Sequence, residues 1–274
     1  MSNLVSTDWL AAHLDEVRVV DASWYMPDEK REPAKEFEGA HIPGAVFFDI
    51  DGIADHSTDL PHMMPTPGEF SRLVGALGIT DIDPVVVYDG TGMFSAPRAW
   101  WMLKAMGHHN VKVLDGGFPK WKREGRAVET GPARPDTKFF TAMPKSAIMR
   151  DFDAVMGVVK SKSAQMVDAR SASRFNAQEP EPRVGVRGGH MPGAFNVPWR
   201  NVVAADGTLK PKDELRAAFA HVDISQPIVT TCGSGISAAI LMLALDEIGA
   251  RDVALYDGSW TEWGGRPEAL VVTS

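Results

Sequence analysis

The 274-residue chain has a single cysteine. It can form no internal disulfide, and one thiol cannot build a Cys-based zinc site. It also lacks an excess of positive charge. Against 36 Asp and Glu stand 28 Lys and Arg, a formal net charge of −8, with both signs scattered along the sequence. That excludes a basic field for nucleic acid and a polybasic patch for a membrane surface. No apolar run reaches membrane-spanning length. The opening M-S-N-L-V-S-T-D-W-L-A-A-H-L-D-E lacks a basic segment followed by an apolar one. It reads instead as a capped amphipathic helix, with Ser6 or Thr7 ahead of Trp9, Leu10 and Leu14. A reducing, cytoplasmic setting is the expectation.

At 44% hydrophobic and 23% charged, the composition suits a soluble chain of one large domain or two ordinary ones. An internal repeat decides for two. Val19-Val20-Asp21-Ala22 returns as Met166-Val167-Asp168-Ala169. Gly39-Ala40-His41-Ile42-Pro43-Gly44-Ala45 returns as Gly188-Gly189-His190-Met191-Pro192-Gly193-Ala194. Leu114-Asp115-Gly116-Gly117-Phe118-Pro119-Lys120-Trp121 returns as Tyr256-Asp257-Gly258-Ser259-Trp260-Thr261-Glu262-Trp263. The offsets are 147, 149 and 142 residues in conserved order, too long a period for a solenoid.

Each half follows one order of elements. A short strand (17–20; 166–167) leads through a polar loop to the H-x-P-G-A turn. An amphipathic helix follows (67–77; 211–220), then an apolar strand, Pro84 to Tyr88 or Pro227 to Thr231. A long apolar helix comes next (97–106; 237–248), and a last strand ends in D-G (111–115; 253–257). Strands without polar alternation, interleaved with helices, predict an α/β fold: in each half a mostly parallel sheet flanked by helices. The expected divisions are residues 1–130, a linker over 131–150 containing Gly131-Pro132-Ala133-Arg134-Pro135-Asp136, and residues 151–274.

The cysteine lies in Thr230-Thr231-Cys232-Gly233-Ser234-Gly235-Ile236-Ser237, between a buried strand and a helix. In an open α/β sheet that turn lies at the carboxyl edge, where ligands bind. Gly233 and Gly235 allow a tight turn whose amides converge on one atom, and the helix N-terminus adds positive potential. Both favour an anionic sulfur, thiolate or persulfide. A small buried cysteine at a strand end is the bland alternative. The layout also resembles that of cysteine phosphatases, which place an arginine six residues after the cysteine. Here Ala238 and Ala239 stand at the sixth and seventh positions, so the bidentate phosphate donor is missing.

The tandem halves, the two H-x-P-G-A turns and the D-G-x-x-x-x-W elements resemble the two-domain rhodanese family of sulfurtransferases. The resemblance covers nearly the whole chain and implies two tandem rhodanese-like domains, only the C-terminal one catalytic. In the first half Val87-Tyr88-Asp89-Gly90 puts Asp89 where the second has Cys232, and an aspartate cannot carry a sulfane sulfur. Thiosulfate-using members show C-R-K-G at the loop, whereas the mercaptopyruvate-using branch shows C-G-S-G, as here. D-A-S-W-Y (21–25), F-F-D-I-D (47–51), S-A-P-R-A-W-W (95–101) and Y-D-G-S-W (256–260) resemble that branch too.

The resemblance implies a 3-mercaptopyruvate donor, a Cys232 persulfide, and a thiol, thioredoxin or cyanide acceptor, with no metal or organic cofactor. It assigns the pyruvate part to Arg174 and Arg183, whose forks match a carboxylate; the loop residues Gly233, Gly235, Ile236 and Ser237 are the further substrate-binding candidates. Arg170 and Arg187 lie close by and keep a supporting role open. A Ser-His-Asp relay carries over to Ser234, His62 and Asp51, two of them from the first half, which implies a site between the halves. Ser234 steadying the thiolate is the lesser role for that residue. Thiosulfate as donor, and a non-catalytic persulfide carrier, remain as alternatives.

The other histidines invite less. His41 and His190 recur in the repeated turn in both halves, which points to structure. His108-His109 cannot form a ligand pair on one face, since neighbours point apart, and read as the exposed end of the preceding helix. Trp100, Trp101 and Met102 read as packing residues.

Overall fold

The computed structural model describes residues 2–273. Its contacts divide the chain into two compact units. The first comprises the residues up to Asp55, Met64–Lys145 and Ala204–Leu209; the second comprises His56–Met63, Ser146–Val203 and the residues from Lys210 on.

In the first unit the elements run β1 (Leu4–Val5), α1 (Thr7–Ala12), β2 (Arg18–Asp21), α2 (Pro33–Gly39), β3 (Val46–Phe47), α3 (Pro67–Ala76), β4 (Val85–Tyr88), α4 (Ala96–Ala105), β5 (Val111–Leu114) and α5 (Gly117–Arg123). The second unit repeats them as β6 (Met149–Arg150), α6 (Phe152–Ser161), β7 (Gln165–Asp168), α7 (Ala172–Phe175), β8 (Phe195–Asn196), α8 (Lys212–Ala218), β9 (Ile228–Thr231), α9 (Ala238–Glu247), β10 (Val253–Tyr256) and α10 (Ser259–Gly265). The sheet orders are β1-β5-β4-β2-β3 and β6-β10-β9-β7-β8, the same topology twice. Every strand pairing within them is parallel.

The strands form where β-branched and aromatic residues run together. Val85-Val86-Val87-Tyr88 and Ile228-Val229-Thr230-Thr231 are buried along their whole length, as expected of a parallel sheet covered on both faces. The helices start where side chains satisfy their free amides. Ser6 accepts from the Trp9 amide and so is the cap of α1, and Thr66, Asp151 and Ser171 do the same for α3, α6 and α7. The first core gathers Leu10, Val19, Phe37, Val86, Tyr88 and Trp121; the second gathers Phe152, Met166, Val229, Tyr256, Trp260 and Trp263. Helices α4 and α9 are apolar almost all round and almost wholly buried, Trp100, Trp101 and Met102 included.

Residues 131–145 form no helix or strand. They lie along the first unit, where Lys138 donates its amide to Gly75, Met143 to Met106 and Lys145 to Ala105. This path corrects the reading of His108. Helix α4 stops at Ala105, and His108 beyond it is not an exposed end but fully buried, its ring 6.1 Å from that of Phe140 and nearly parallel to it. Burial holds its pKa below the ordinary histidine value. His109 is exposed as expected.

The turn histidines are structural clips. His41 exchanges backbone bonds with Glu129, and its Nδ1 meets the Phe37 carbonyl at 2.8 Å. His190 does the same with Val272 and the Phe175 carbonyl, the latter at 2.9 Å. Each ring also stacks on that phenylalanine. Among the described residues no helix is long and apolar enough to cross a membrane.

Candidate active site

Strand β9 ends at Thr231 and α9 begins at Ala238, so the six residues between them make the turn. Cys232 leads it and is only 2% exposed. Its Sγ accepts the Gly235 amide at 3.1 Å. Gly235 reaches that position with φ +84°, a left-handed backbone that a Cβ would strain. Ser234, Gly235 and Ile236 are buried, while Gly233 and Ser237 are partly exposed. The loop is therefore closed around the sulfur and open at Gly233.

Helix α10 fixes the loop from behind. The Trp260 amide donates to the Cys232 carbonyl at 2.9 Å, and the Thr261 amide to the Gly233 carbonyl at 2.9 Å. The Thr261 hydroxyl adds a second bond to that carbonyl at 2.7 Å. Ser259 Oγ accepts the Cys232 amide at 3.3 Å and donates to the Tyr256 carbonyl.

The expected arginines gather at the open side. Arg174, the third residue of α7, brings Nη2 to within 3.1 Å of where a Cβ on Gly233 would stand. Any side chain there would press on the guanidinium, so glycine keeps this approach free. Arg183 donates from Nη1 to Thr261 Oγ1 at 3.4 Å. Glu181 lies between the arginines in sequence and pairs with Arg174. Its other partner is Arg170, at 2.8 Å. Arg170 is wholly buried, also paired with Asp168 at 2.7 Å, and lies over the Trp260 ring. Burial opposes its charge, but the two carboxylates outweigh that and hold its pKa above the ordinary arginine value. Its part is to fix Glu181 and hence Arg174. Arg187 spends its donors on the carbonyls of Gly264, Trp263, Arg266 and Ala269, so it clips the loop to the end of α10.

The three residues expected to relay a proton are placed differently. Ser234 is 8% exposed, two residues beyond the thiol. His62 is buried too, with a left-handed backbone at φ +62°, in the His56–Met63 segment that belongs to the second unit. Asp51 lies in the first unit, where its Oδ2 accepts the Trp24 indole N–H at 2.9 Å.

In the first unit the equivalent loop holds an anion of its own. Asp89 is fully buried. Its Oδ1 accepts the amides of Thr91 and Gly92 at 2.8 and 2.7 Å. Its Oδ2 accepts those of Phe94, Ser95 and Ala96 at 2.8, 2.9 and 2.8 Å. Five converging amides show what this turn is built to hold, a negative charge.

Sequence reading passed over Glu181, Ser259 and Thr261. The signal for the last two was the repeat itself, which sets Ser259 against Gly117 and Thr261 against Pro119.

Comparison with known proteins agrees with the architecture. The rhodanese-like domain model matches twice, over residues 6–124 and 153–266. The 3-mercaptopyruvate sulfurtransferase of Escherichia coli K12 is 44% identical, over 97% of this chain and 96% of its own. The thiosulfate sulfurtransferase of Rattus norvegicus is 43% identical, over 98% and 94%. The crystal structure of SseA from Escherichia coli, described as a 3-mercaptopyruvate sulfotransferase, matches with a TM-score of 0.87 at 41% identity, over 95% of this chain and 99% of that one.

Proposed function

The chain belongs to the rhodanese-like family, and from that premise we propose that it is a 3-mercaptopyruvate sulfurtransferase working through Cys232. The carrying observation is the pairing of an enclosed sulfur, bonded by the Gly235 amide, with Arg174 across the unsubstituted Gly233. The sulfur needs an electrophilic partner, and the arginine forks beside it match a carboxylate in geometry and charge. 3-Mercaptopyruvate supplies a transferable sulfur and a carboxylate a few bonds apart. Thiosulfate would call for cationic side chains on the loop itself, and Cys232-Gly233-Ser234-Gly235 has none.

The Cys232 thiolate attacks the donor's sulfur. An S–S bond forms and the C–S bond breaks, its electron pair passing to carbon as the enolate of pyruvate. A proton returned to that carbon gives pyruvate. We assign the proton return to Ser234 and His62, both of the second unit. Asp51→Asn keeps an acceptor for the Trp24 N–H, so a loss of turnover in that variant would isolate a protonic role for Asp51. A nucleophile then attacks the outer sulfur of the Cys232 persulfide, the S–S bond breaks, and the thiolate is regenerated. A small thiol, thioredoxin or cyanide can serve. Because the thiolate must stay reduced between turnovers, the reading fits a reducing compartment such as the cytoplasm.

Steady-state turnover on 3-mercaptopyruvate and on thiosulfate, with one acceptor in excess, tests the donor. The proposal expects kcat/KM to favour mercaptopyruvate by at least an order of magnitude. A preference for thiosulfate overturns it.

A further inference from the structure

We propose that Thr261 is a positioning residue, one that turns a loop amide toward the reacting sulfur of Cys232. The inference rests on Cys232 being that sulfur and extends the reading to a residue outside the loop.

The Gly233 carbonyl receives two bonds from Thr261, one from its amide at 2.9 Å and one from its hydroxyl at 2.7 Å. In a trans peptide the carbonyl and the following N–H point in opposite directions, and no cis bond occurs among the described residues. Tying the Gly233 oxygen to α10 therefore turns the Ser234 N–H the other way, into the loop. It also draws a carbonyl dipole, whose negative end would repel an anionic sulfur, away from it.

The first unit shows where that amide points when the turn holds an anion. Thr91 occupies the place of Ser234, and its N–H meets Asp89 Oδ1 at 2.8 Å. The bond that precedes it in the turn is common to both units, Phe118 to the Asp89 carbonyl at 3.0 Å and Trp260 to the Cys232 carbonyl at 2.9 Å. The next one is not. Position 119 is proline, which has neither an N–H nor a hydroxyl. In the first unit a fixed carboxylate, itself holding five amides, organises the turn from inside. The second unit has a thiol that must gain and lose a sulfur, so its turn needs holding from outside, and Thr261 supplies that. The same hydroxyl oxygen accepts from Arg183 at 3.4 Å, which links the loop to a substrate-binding arginine.

The test uses the full chain with Thr261→Val, which removes only the hydroxyl, and Thr261→Ser, which keeps it. Alkylation of Cys232 by iodoacetamide is followed across pH, and turnover on 3-mercaptopyruvate is measured in parallel. The expectation for Thr261→Val is an alkylation midpoint moved upward by a few tenths of a pH unit to about one unit. It also includes a kcat lowered roughly 5- to 20-fold and a raised KM. Thr261→Ser returns both to near wild type. An unchanged midpoint in Thr261→Val, or a Thr261→Ser variant as impaired as Thr261→Val, overturns the proposal. Alkylation needs no sulfur donor, so this readout survives if mercaptopyruvate proves to be the wrong substrate. Loss of the alkylation signal in Cys232→Ser separately checks which thiol is observed.

Discussion

Ser259 and Gly117 hold the same left-handed backbone, at φ +49° and +51°, at the starts of α10 and α5. Glycine takes that conformation freely, whereas a residue with a Cβ gives up about 1 kcal/mol. The second unit accepts that cost where the Ser259 hydroxyl receives the Cys232 amide at 3.3 Å. In Ser259→Gly the relief of strain, ~1 kcal/mol, should offset about one of the two lost hydrogen bonds, to the Cys232 amide and the Tyr256 carbonyl, each worth ~1 kcal/mol. Urea denaturation should therefore show a loss of about 1 kcal/mol while turnover falls several-fold. Ser259→Ala keeps the strain and loses both bonds, so it should be less stable than Ser259→Gly.

Asp89 should contribute several kcal/mol to the stability of the first unit. Its carboxylate holds five amides, four of them buried. An asparagine offers one acceptor oxygen and turns an NH₂ toward donors. Asp89→Asn should lose on the order of 3–5 kcal/mol, since bonds to a charged acceptor and stranded buried amides are each worth ~1–3 kcal/mol. Chemical denaturation measures this directly. In Asp89→Gly the emptied cradle should respond to sulfate: melting temperature should rise more with sulfate than with chloride at matched ionic strength.

The two halves treat one buried carboxylate differently, and pH should reveal it. Asp168 is paired with Arg170 at 2.7 Å. Its counterpart Asp21 has Ser23 in place of the arginine and accepts that residue's amide at 2.9 Å and its hydroxyl. Burial pushes the Asp21 carboxyl from 3.8 up to about 6, with bonds from Ser23 and Tyr88 acting against it. The folded state thus holds this proton more tightly than the unfolded chain. Below the unfolded value the group costs nothing. As pH rises from about 4 to about 6 a destabilisation develops, and above that it is complete at roughly 3 kcal/mol. Asp21→Asn should therefore be more stable than wild type at pH 7.5 and should lose that advantage near pH 4. Urea melts of the two proteins at both pH values check the sign.

Much of this was legible in the chain. Val85–Tyr88 and Ile228–Thr231 announce buried parallel strands because both faces are covered and no polar residue interrupts them. The long helices are equally plain, and α4 and α9 lie within a residue of the expected spans 97–106 and 237–248. What sequence could not place depends on distant segments. His108 is buried because residues 136–145 return along the end of α4, a path no local pattern encodes. The segments 56–63 and 204–209 are grouped each with the other unit, again with no local mark. Within the site, Cys232, Arg174 and Arg183 carried chemistry in their residue types. Thr261 did not: a threonine on a helix is ordinary until the carbonyl it holds is known.

The arginines should divide binding from chemistry. Arg174→Ala and Arg183→Ala should each lower kcat/KM for 3-mercaptopyruvate by about 10- to 100-fold, the worth of a charge-assisted contact to a carboxylate, with the rate of Cys232 alkylation by a neutral reagent little changed. Glu181→Gln frees Arg174 from its ion pair and should alter KM more than kcat. Steady-state kinetics of the three variants with one acceptor decide the assignment.

The central claim is that Cys232 itself carries the sulfur. Intact-mass measurement of the protein after incubation with 3-mercaptopyruvate, with pyruvate release followed in the same sample, tests it most directly. The account predicts that the wild-type chain gains one sulfur atom with one pyruvate released, and loses that sulfur on addition of cyanide. Cys232→Ser should show neither gain nor release. A sulfur adduct on Cys232→Ser, or pyruvate release without Cys232, would contradict the account.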